Sequence, residues 1–243
     1  MPLAKDKPAA SDPQAVALVH AALDAHTGND RGKVKQFRTV EYRREGVGRG
    51  LENEPFDLKW AVSSAWPDRM RVVAEFPGQR TSTLVRDGLT VWQWVVAPGV
   101  PPTAPVQSPP ELAENIRVDN TGQWLWLLFP LLDDECVFAR APDADIDGVQ
   151  CPGVHLFHPK LAPAALHFRP DTKLLARIAY EGREGNRAGV QAFHAVDAKP
   201  HHGVQLAHRL AQSFDGRQYV DLTLVSLEPK AKLDDALFGP PKP

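Results

Sequence analysis

Alternation of apolar and polar residues with a period of two is the feature that most constrains the fold of this chain. In FDLKWAV (56–62) the phenylalanine, leucine and tryptophan alternate with polar residues, and later segments repeat the pattern. Turn signals such as RDGL and FDGR separate these segments at intervals of about ten residues, which is typical of antiparallel β-sheets. The pattern predicts five strands over 33–96 and seven more between about 135 and 227.

One helix is predicted before the strands. In SDPQAVALVHAALDAHTG, Asp12 is positioned to cap a helix, Pro13 occupies the first helical position and Gly28 ends it. Apolar residues at helical spacing give this segment one apolar face. The sequence therefore predicts a helix over about 13–27.

A second helical segment, over about 111–132, follows a proline-rich excursion at 97–110. It contains the apolar run TGQWLWLLFPLL (121–132), which is too short to cross a bilayer, because a membrane-spanning helix needs roughly 20 apolar residues. Pro130 predicts that the helix stops inside this run. The segment is expected to act as a bent lid that moves when a ligand enters.

These elements predict a mainly β fold with α: a single large curved antiparallel sheet, an unclosed half-barrel of about 11–12 strands. Because at least one sheet face must be covered, the N-terminal helix and the helical lid insertion are expected to cover it. The domain is predicted to span 13–240, after a flexible leader over 1–12. That leader has no apolar stretch of the kind found in a signal peptide.

The polar residues give no catalytic or metal-binding constellation. A net charge of −2 without a basic stripe argues against nucleic acid, and nine scattered histidines give no metal set, so we expect no catalytic residue, metal or cofactor. GVGRG (46–50) predicts a hairpin turn rather than a phosphate-binding loop. Cys136 and Cys151 flank a predicted turn. The sequence leaves two alternatives for this pair, a disulfide between them or two reduced thiols.

The apolar residues carry the strongest functional signal. The tryptophans of the strands are expected on inward-facing positions, and four residues of the lid on one helical face. A filled hydrophobic core and an apolar ligand cavity lined by the same residues are the two interpretations. The predicted ligand-binding residues are Phe56, Trp60, Trp92, Trp94, Trp124, Leu127, Leu128 and Leu131.

The C-terminal half carries a family pattern: DGVQCPGVHLFHPK, then LHFRPDTKLLARIAYEG, then a closing strand and KLDDALFGPP. It resembles the outer-membrane lipoprotein-sorting (LolA/LolB/RseB-like) superfamily. That resemblance implies an unclosed barrel whose lid covers a hydrophobic cavity for acyl chains, without catalytic residues. It assigns the lid to 124–132 and the concave strand face to Phe56, Trp60, Trp92 and Trp94.

The expected function is therefore non-enzymatic binding of lipid or lipoprotein acyl chains by an envelope carrier or sensor. We expect a periplasmic or otherwise exported monomer whose signal peptide has been removed, with an envelope protein as a further partner. The alternative is a structural or regulatory module of the envelope with a filled core and no ligand. A closed lipocalin-like barrel is disfavoured, because its G-x-W motif would lie inside the helical insertion.

Overall fold

The computed structural model describes residues 6–50, 53–184 and 187–240. Its α-helices are α1 (Pro13–Thr27), α2 (Pro110–Asp119) and α3 (Thr121–Leu125), and short 3-10 segments cover Arg31–Arg38, Phe129–Leu132 and Asp235–Phe238. Its first strands are β1 (Thr39–Arg49), β2 (Pro55–Ala65), β3 (Arg69–Phe76), β4 (Arg80–Asp87), β5 (Thr90–Val96) and β6 (Val106–Gln107). The later strands are β7 (Val137–Ile146), β8 (Val149–Phe157), β9 (Ala164–Phe168), β10 (Leu175–Glu184), β11 (Arg187–His201), β12 (Val204–Phe214) and β13 (Arg217–Pro229).

The strands form one antiparallel sheet in the order β6-β5-β4-β3-β2-β1-β13-β12-β11-β10-β9-β8-β7. The sheet does not close, because β6 and β7 end this order. The predicted fold class, a mainly β chain with one unclosed antiparallel sheet, is therefore confirmed. The thirteenth strand is the two-residue β6, which lies in the proline-rich excursion. No helix in the described ranges is long and apolar enough to cross a membrane.

The start of the sheet differs from the prediction. Residues 31–38 form a 3-10 segment, and β1 begins at Thr39 instead of residue 33. β1 also continues to Arg49, so residues 46–49 are a strand and the predicted turn at 46–50 is wrong. A Cβ on Gly46 would lie 2.1 Å from the carbonyl oxygen of Asp221, so glycine here permits close pairing with β13.

The chain divides into two compact units by its internal contacts. The first comprises Met1–Lys35 and Arg117–Gln218, and the second comprises Gln36–Ile116 and Tyr219–Pro243. The single domain over 13–240 stays a prediction. Residues 1–5 of the predicted leader lie outside the described residues.

In the first unit, α1 has the predicted bounds and the predicted caps. The Asp12 carboxylate accepts hydrogen bonds from the backbone N–H groups of Gln14 and Ala15, at 2.7 and 3.1 Å. Gly28 ends the helix with φ of 63°, the left-handed conformation that glycine adopts readily. The helix packs on β7, β8 and β12, and the backbone N–H of Asp12 donates to Phe138 of β7 at 2.8 Å.

A buried histidine joins α1 to two strands. The Nδ1–H of His26 donates to the carbonyl oxygen of Gln205 in β12, and its Nε2 accepts from the backbone N–H of Leu175 in β10 at 2.9 Å. The bond from Leu175 requires the neutral ring, because a protonated Nε2 cannot accept a hydrogen bond. Burial lowers the pKa of His26 from 6.5 to about 4.

This depressed pKa predicts a loss of stability in mild acid. Below pH 6.5 the unfolded chain takes up a proton that the folded chain excludes until about pH 4. The contribution of His26 is therefore complete above pH 6.5 and falls by about 3 kcal/mol as the pH decreases to 4, at about 1.4 kcal/mol per pKa unit. The variant His26→Gln should be less stable at pH 7 but should lose this part of the pH dependence. Urea unfolding between pH 7 and 4.5 measures both effects.

His20→Gln is the matched control, since His20 lies on the same helix and is exposed. It should keep the wild-type pH dependence. An unchanged slope in His26→Gln would contradict the assignment.

Candidate functional site

Strand register in the second unit separates the four tryptophan and phenylalanine residues that were predicted to share one face. Trp60 pairs with Ala74, which pairs with Ser82, which pairs with Val95. Paired residues point to the same side and neighbours along a strand point to opposite sides. Trp94 and Trp92 therefore face away from Trp60, which corrects the expectation of one shared face.

The face of Trp92 and Trp94 is covered by the C-terminal segment. Both tryptophans are half-buried and pack in a cluster with Val85, Leu233 and Phe238. The Arg69 guanidinium lies 4.2 Å from the ring centroid of Phe238. These tryptophans thus hold the C-terminal 3-10 turn on the sheet.

The other face of the second unit carries what we call the aromatic patch. Its half-buried members surround a small buried core of Leu58, Val220 and Leu222. The ring centroids of Phe56 and Phe76 are 5.6 Å apart, within the range of favourable aromatic pairs. The half-buried aromatic members of the patch on this face are Phe56, Trp60 and Phe76.

Two sequence features build this patch. Phe56, Leu58 and Trp60 share a face through the predicted alternation. Gly48 makes room for the Phe56 ring, because a Cβ on Gly48 would lie 2.3 Å from it. Sequence reasoning found Phe56 and Trp60 but missed Phe76. The alternation in RMRVVAEF marks Phe76 as a strand residue, but only the register brings it to the face of Phe56.

A buried cation lies on the same sheet face. Arg44 pairs with Trp60 across β1 and β2, and its guanidinium lies 5.8 Å from the Tyr42 ring centroid. The Arg44 side chain is fully buried, and burial lowers its pKa to about 10. The face that carries the aromatic patch therefore also contains a positive charge.

The lid segment has a different local structure from the predicted single helix. α2 ends at Asp119 and α3 ends at Leu125, five residues before Pro130. Leu128 has φ of 67°, a left-handed conformation that interrupts a helix. Trp124 and the three predicted leucines therefore do not share one helical face. The local cause of the break is the backbone at Leu128 rather than Pro130.

The lid segment is packed against other residues of the first unit. Every residue from Thr121 to Leu131 is buried, including Trp124 at 1% exposure. The backbone N–H of Ala162 donates to the Thr121 hydroxyl at 3.0 Å, and the Phe193 ring lies directly against Gly122. In this conformation Trp124, Leu127, Leu128 and Leu131 are core residues.

α2 packs on the sheet face that carries the aromatic patch, so it does not cover Trp92 and Trp94 on the opposite face. Ala113 and Ile116 of α2 pack on Val91 and Leu84, which share the face of the aromatic patch. These contacts involve β4 and β5, whereas the patch lies on β2, β3 and β13.

Within the described ranges, Asp133, Glu135 and His158 bring three potential metal ligands within 4.8 Å of one another. The Nδ1 of His158 accepts a hydrogen bond from the backbone N–H of Lys160 at 3.0 Å. A neutral ring therefore carries its proton on Nε2, which faces Asp133 at 3.6 Å. A protonated nitrogen cannot ligate a metal, so the geometry favours a histidine–carboxylate contact.

The two cysteines are both free and buried. The Cys136 thiol donates to the carbonyl oxygen of Pro130 at 3.0 Å, and burial raises its pKa to about 12. The thiol therefore stays protonated and unreactive near neutral pH, where it holds the end of the lid segment.

Together, these features define a mainly β protein with one open antiparallel sheet and an aromatic patch on one sheet face. The fold is similar to that of a LolA superfamily protein from Nitrosomonas europaea, with a TM-score of 0.55 over 93% of this chain and 97% of that chain, at 11% identity. It is also similar to a DUF1329 family protein from Desulfovibrio piger, with a TM-score of 0.53 over 94% of this chain and 98% of that chain, at 16% identity. No protein-family model and no curated protein matches the sequence. The likeness confirms, for the fold, the resemblance seen in the C-terminal half.

The contact between Gly122 and Phe193 predicts a large effect from one methyl group. Alanine normally favours a helix over glycine by about 1 kcal/mol. Here its Cβ would lie 2.3 Å from the Phe193 ring, and such overpacking costs about 1–3 kcal/mol. Gly122→Ala should therefore lower the free energy of unfolding by about 2 kcal/mol in urea titrations.

Phe193→Leu in the same chain should recover part of that loss, because it removes the clashing ring. Gly239→Ala is the control, since no heavy atom lies within 4 Å of the Cβ position at Gly239. A Gly122→Ala protein as stable as the wild type would show that the lid segment is not packed as described.

Proposed function

We propose that this protein binds acyl chains of lipids or lipoproteins without catalysing a reaction, as a carrier or sensor in the cell envelope. The observation that carries the proposal is the aromatic patch. Three of its aromatic side chains, Phe56, Trp60 and Phe76, are only half-buried and lie together on one sheet face. The similarity of the fold to a LolA superfamily protein supports the same assignment.

The chemistry of the patch suits an apolar ligand. Covering a half-exposed aromatic ring removes apolar surface from water, which contributes roughly 25 cal/mol per Å². The members of the patch on this face are aromatic and aliphatic side chains. The patch therefore offers adhesion to an acyl chain and no acid, base or nucleophile at neutral pH.

Two of the predicted ligand-binding residues, Phe56 and Trp60, belong to the patch. A ligand role for Trp124, Leu127, Leu128 and Leu131 stays a prediction, and it requires the lid segment to leave its buried position. A ligand role for Trp92 and Trp94 requires a second contact on the opposite sheet face. We assign the acyl contact to Phe56 and Trp60.

The cellular setting follows from the same proposal. An acyl-chain carrier or sensor acts where lipids or lipoproteins pass between membranes, so we place the protein in the periplasm or another exported compartment. It acts as a monomer, because the patch must be open to the ligand. An envelope protein that delivers or receives the ligand is the expected partner.

A pair of tryptophan variants tests the acyl contact. The delipidated protein is titrated with a fluorescent fatty acid. Trp60→Ala should weaken binding by roughly tenfold to a hundredfold, because full burial of a large apolar side chain is worth about 1.5–3 kcal/mol. Phe56→Ala should act in the same direction.

Trp92→Ala is the matched control, because Trp92 is also half-buried on a strand of the same unit but lies on the opposite face. It should leave the affinity within about twofold, which is under 0.5 kcal/mol. Equal losses in Trp60→Ala and Trp92→Ala would contradict the patch as the contact. An absence of saturable binding by the wild type would contradict acyl binding altogether.

The second candidate is a structural or regulatory interaction module of the envelope without a small ligand. The packing of the lid segment favours this candidate, because Leu127 and Leu128 are at most 1% exposed and belong to the core. On this account the aromatic patch contacts a protein. Native mass spectrometry of protein purified from an envelope extract separates the two, since a carrier retains acyl-containing ligands and a module retains a polypeptide.

A further inference from the structure

A second surface lies in the first unit, on β10, β11 and β12. It is a groove of about 430 Å³ whose charged lining residues are Asp147, Arg169, Arg177 and Arg209. Three of these four charged residues are arginines. Nothing in the acyl-binding proposal uses this groove.

The strand register places its central side chains on one sheet face. Arg177 pairs with His194, which pairs with Ala211. In the next row of the same face Val196 pairs with Arg209, and both residues line the groove. The lining residues Ala211 and Ser213 of β12 are small, which leaves space beside Arg177 and His194. The groove therefore follows from the sequence of three neighbouring strands.

Arg177 is the central cation of this groove. Its side chain is half-buried, and its Nε is buried without a hydrogen-bond partner in the described ranges. Burial lowers the pKa of the Arg177 guanidinium, and among the described residues no carboxylate opposes this shift. A guanidinium stays charged at neutral pH, so Arg177 carries an uncompensated charge in a partly dry site.

The other polar groups of the groove complete an anion-binding set. Arg169 is held in place, because it donates to the Ile146 carbonyl oxygen at 3.0 Å and to Asp147 at 2.8 Å. His194 lies with its Nε2 3.5 Å from the Ser213 hydroxyl oxygen. Burial and the nearby Arg177 lower the pKa of His194, so the ring is neutral and supplies a hydrogen bond rather than a charge.

We propose that this groove binds a phosphate group, with Arg177 as its central ligand. A guanidinium fork matches phosphate and carboxylate oxygens. Several arginines around one space favour phosphate, because its oxygens accept from more than one fork. The groove is larger than a lone phosphate, so a small phosphate ester or an anionic lipid headgroup also fits. All of these ligands present a phosphate group to the groove.

Thermal unfolding of the full chain at low ionic strength gives the first test. Added inorganic phosphate should raise the melting temperature of the wild type, because a ligand that binds the folded state stabilises it. Arg177→Gln should weaken phosphate binding at least tenfold and abolish this increase. Arg177→Lys should show an intermediate response, because lysine keeps the charge but lacks the fork.

Arg183→Gln is the matched control, since Arg183 is an exposed arginine on the same strand and outside the groove. It should respond to phosphate like the wild type. Without phosphate, Arg177→Gln should melt at the wild-type temperature or above, because it removes a desolvated charge. A lost response in that variant is then a loss of binding rather than of folding.

A vesicle arm identifies the source of the phosphate. The wild type and Arg177→Gln are sedimented with phosphatidylglycerol vesicles and with phosphatidylcholine vesicles. If the wild type sediments only with phosphatidylglycerol, and Arg177→Gln does not, the groove binds an anionic headgroup. A phosphate response without such sedimentation assigns it to free phosphate or a soluble ester. The proposal is overturned if neither arm depends on Arg177, or if Arg183→Gln loses as much binding as Arg177→Gln. None of these readouts depends on acyl binding at the aromatic patch.

Discussion

Strand register is the constraint on which every surface of this protein depends. Side chains alternate along a strand, so a shift of one residue in pairing exchanges the two faces of the sheet. Pairing of Trp60 with Ala74 and of Val95 with Ser82 puts Trp60 and Trp94 on opposite faces. The first becomes part of an apolar surface and the second packs under the C-terminal turn. In the other unit, pairing of Arg177 with His194 makes a polar groove.

Small residues are the second requirement, because each surface forms where a large side chain is absent. Gly48 admits the Phe56 ring to the aromatic patch, and Gly122 admits the Phe193 ring beneath the lid segment. Ala211, which pairs with His194, leaves space in the groove beside Arg177. Larger side chains at these positions would preserve the strand pattern and remove the surfaces. Alternation thus sets the fold, and the distribution of small residues sets the sites.

The sequence predicted the elements better than their arrangement. Capping signals at Asp12 and Gly28 gave α1 its bounds, because they act within a few residues. The predicted sheet face of Trp92 was wrong, because the face depends on the lengths of the hairpins between β2 and β5. The break at Leu128 was missed, because tertiary packing holds a non-glycine residue in a left-handed conformation there. The phosphate groove has no local motif, since its residues meet only through register.

The proposed contact of the acyl chain is with the aromatic patch rather than with the lid segment or the opposite sheet face. Photolabelling with a diazirine-bearing fatty acid, followed by peptide mass spectrometry, measures this contact directly. We expect saturable labels in the peptides that contain Phe56–Trp60 and Phe76. Labels confined to residues 90–96 or 121–131, or labelling that an excess of unmodified fatty acid does not reduce, would contradict it.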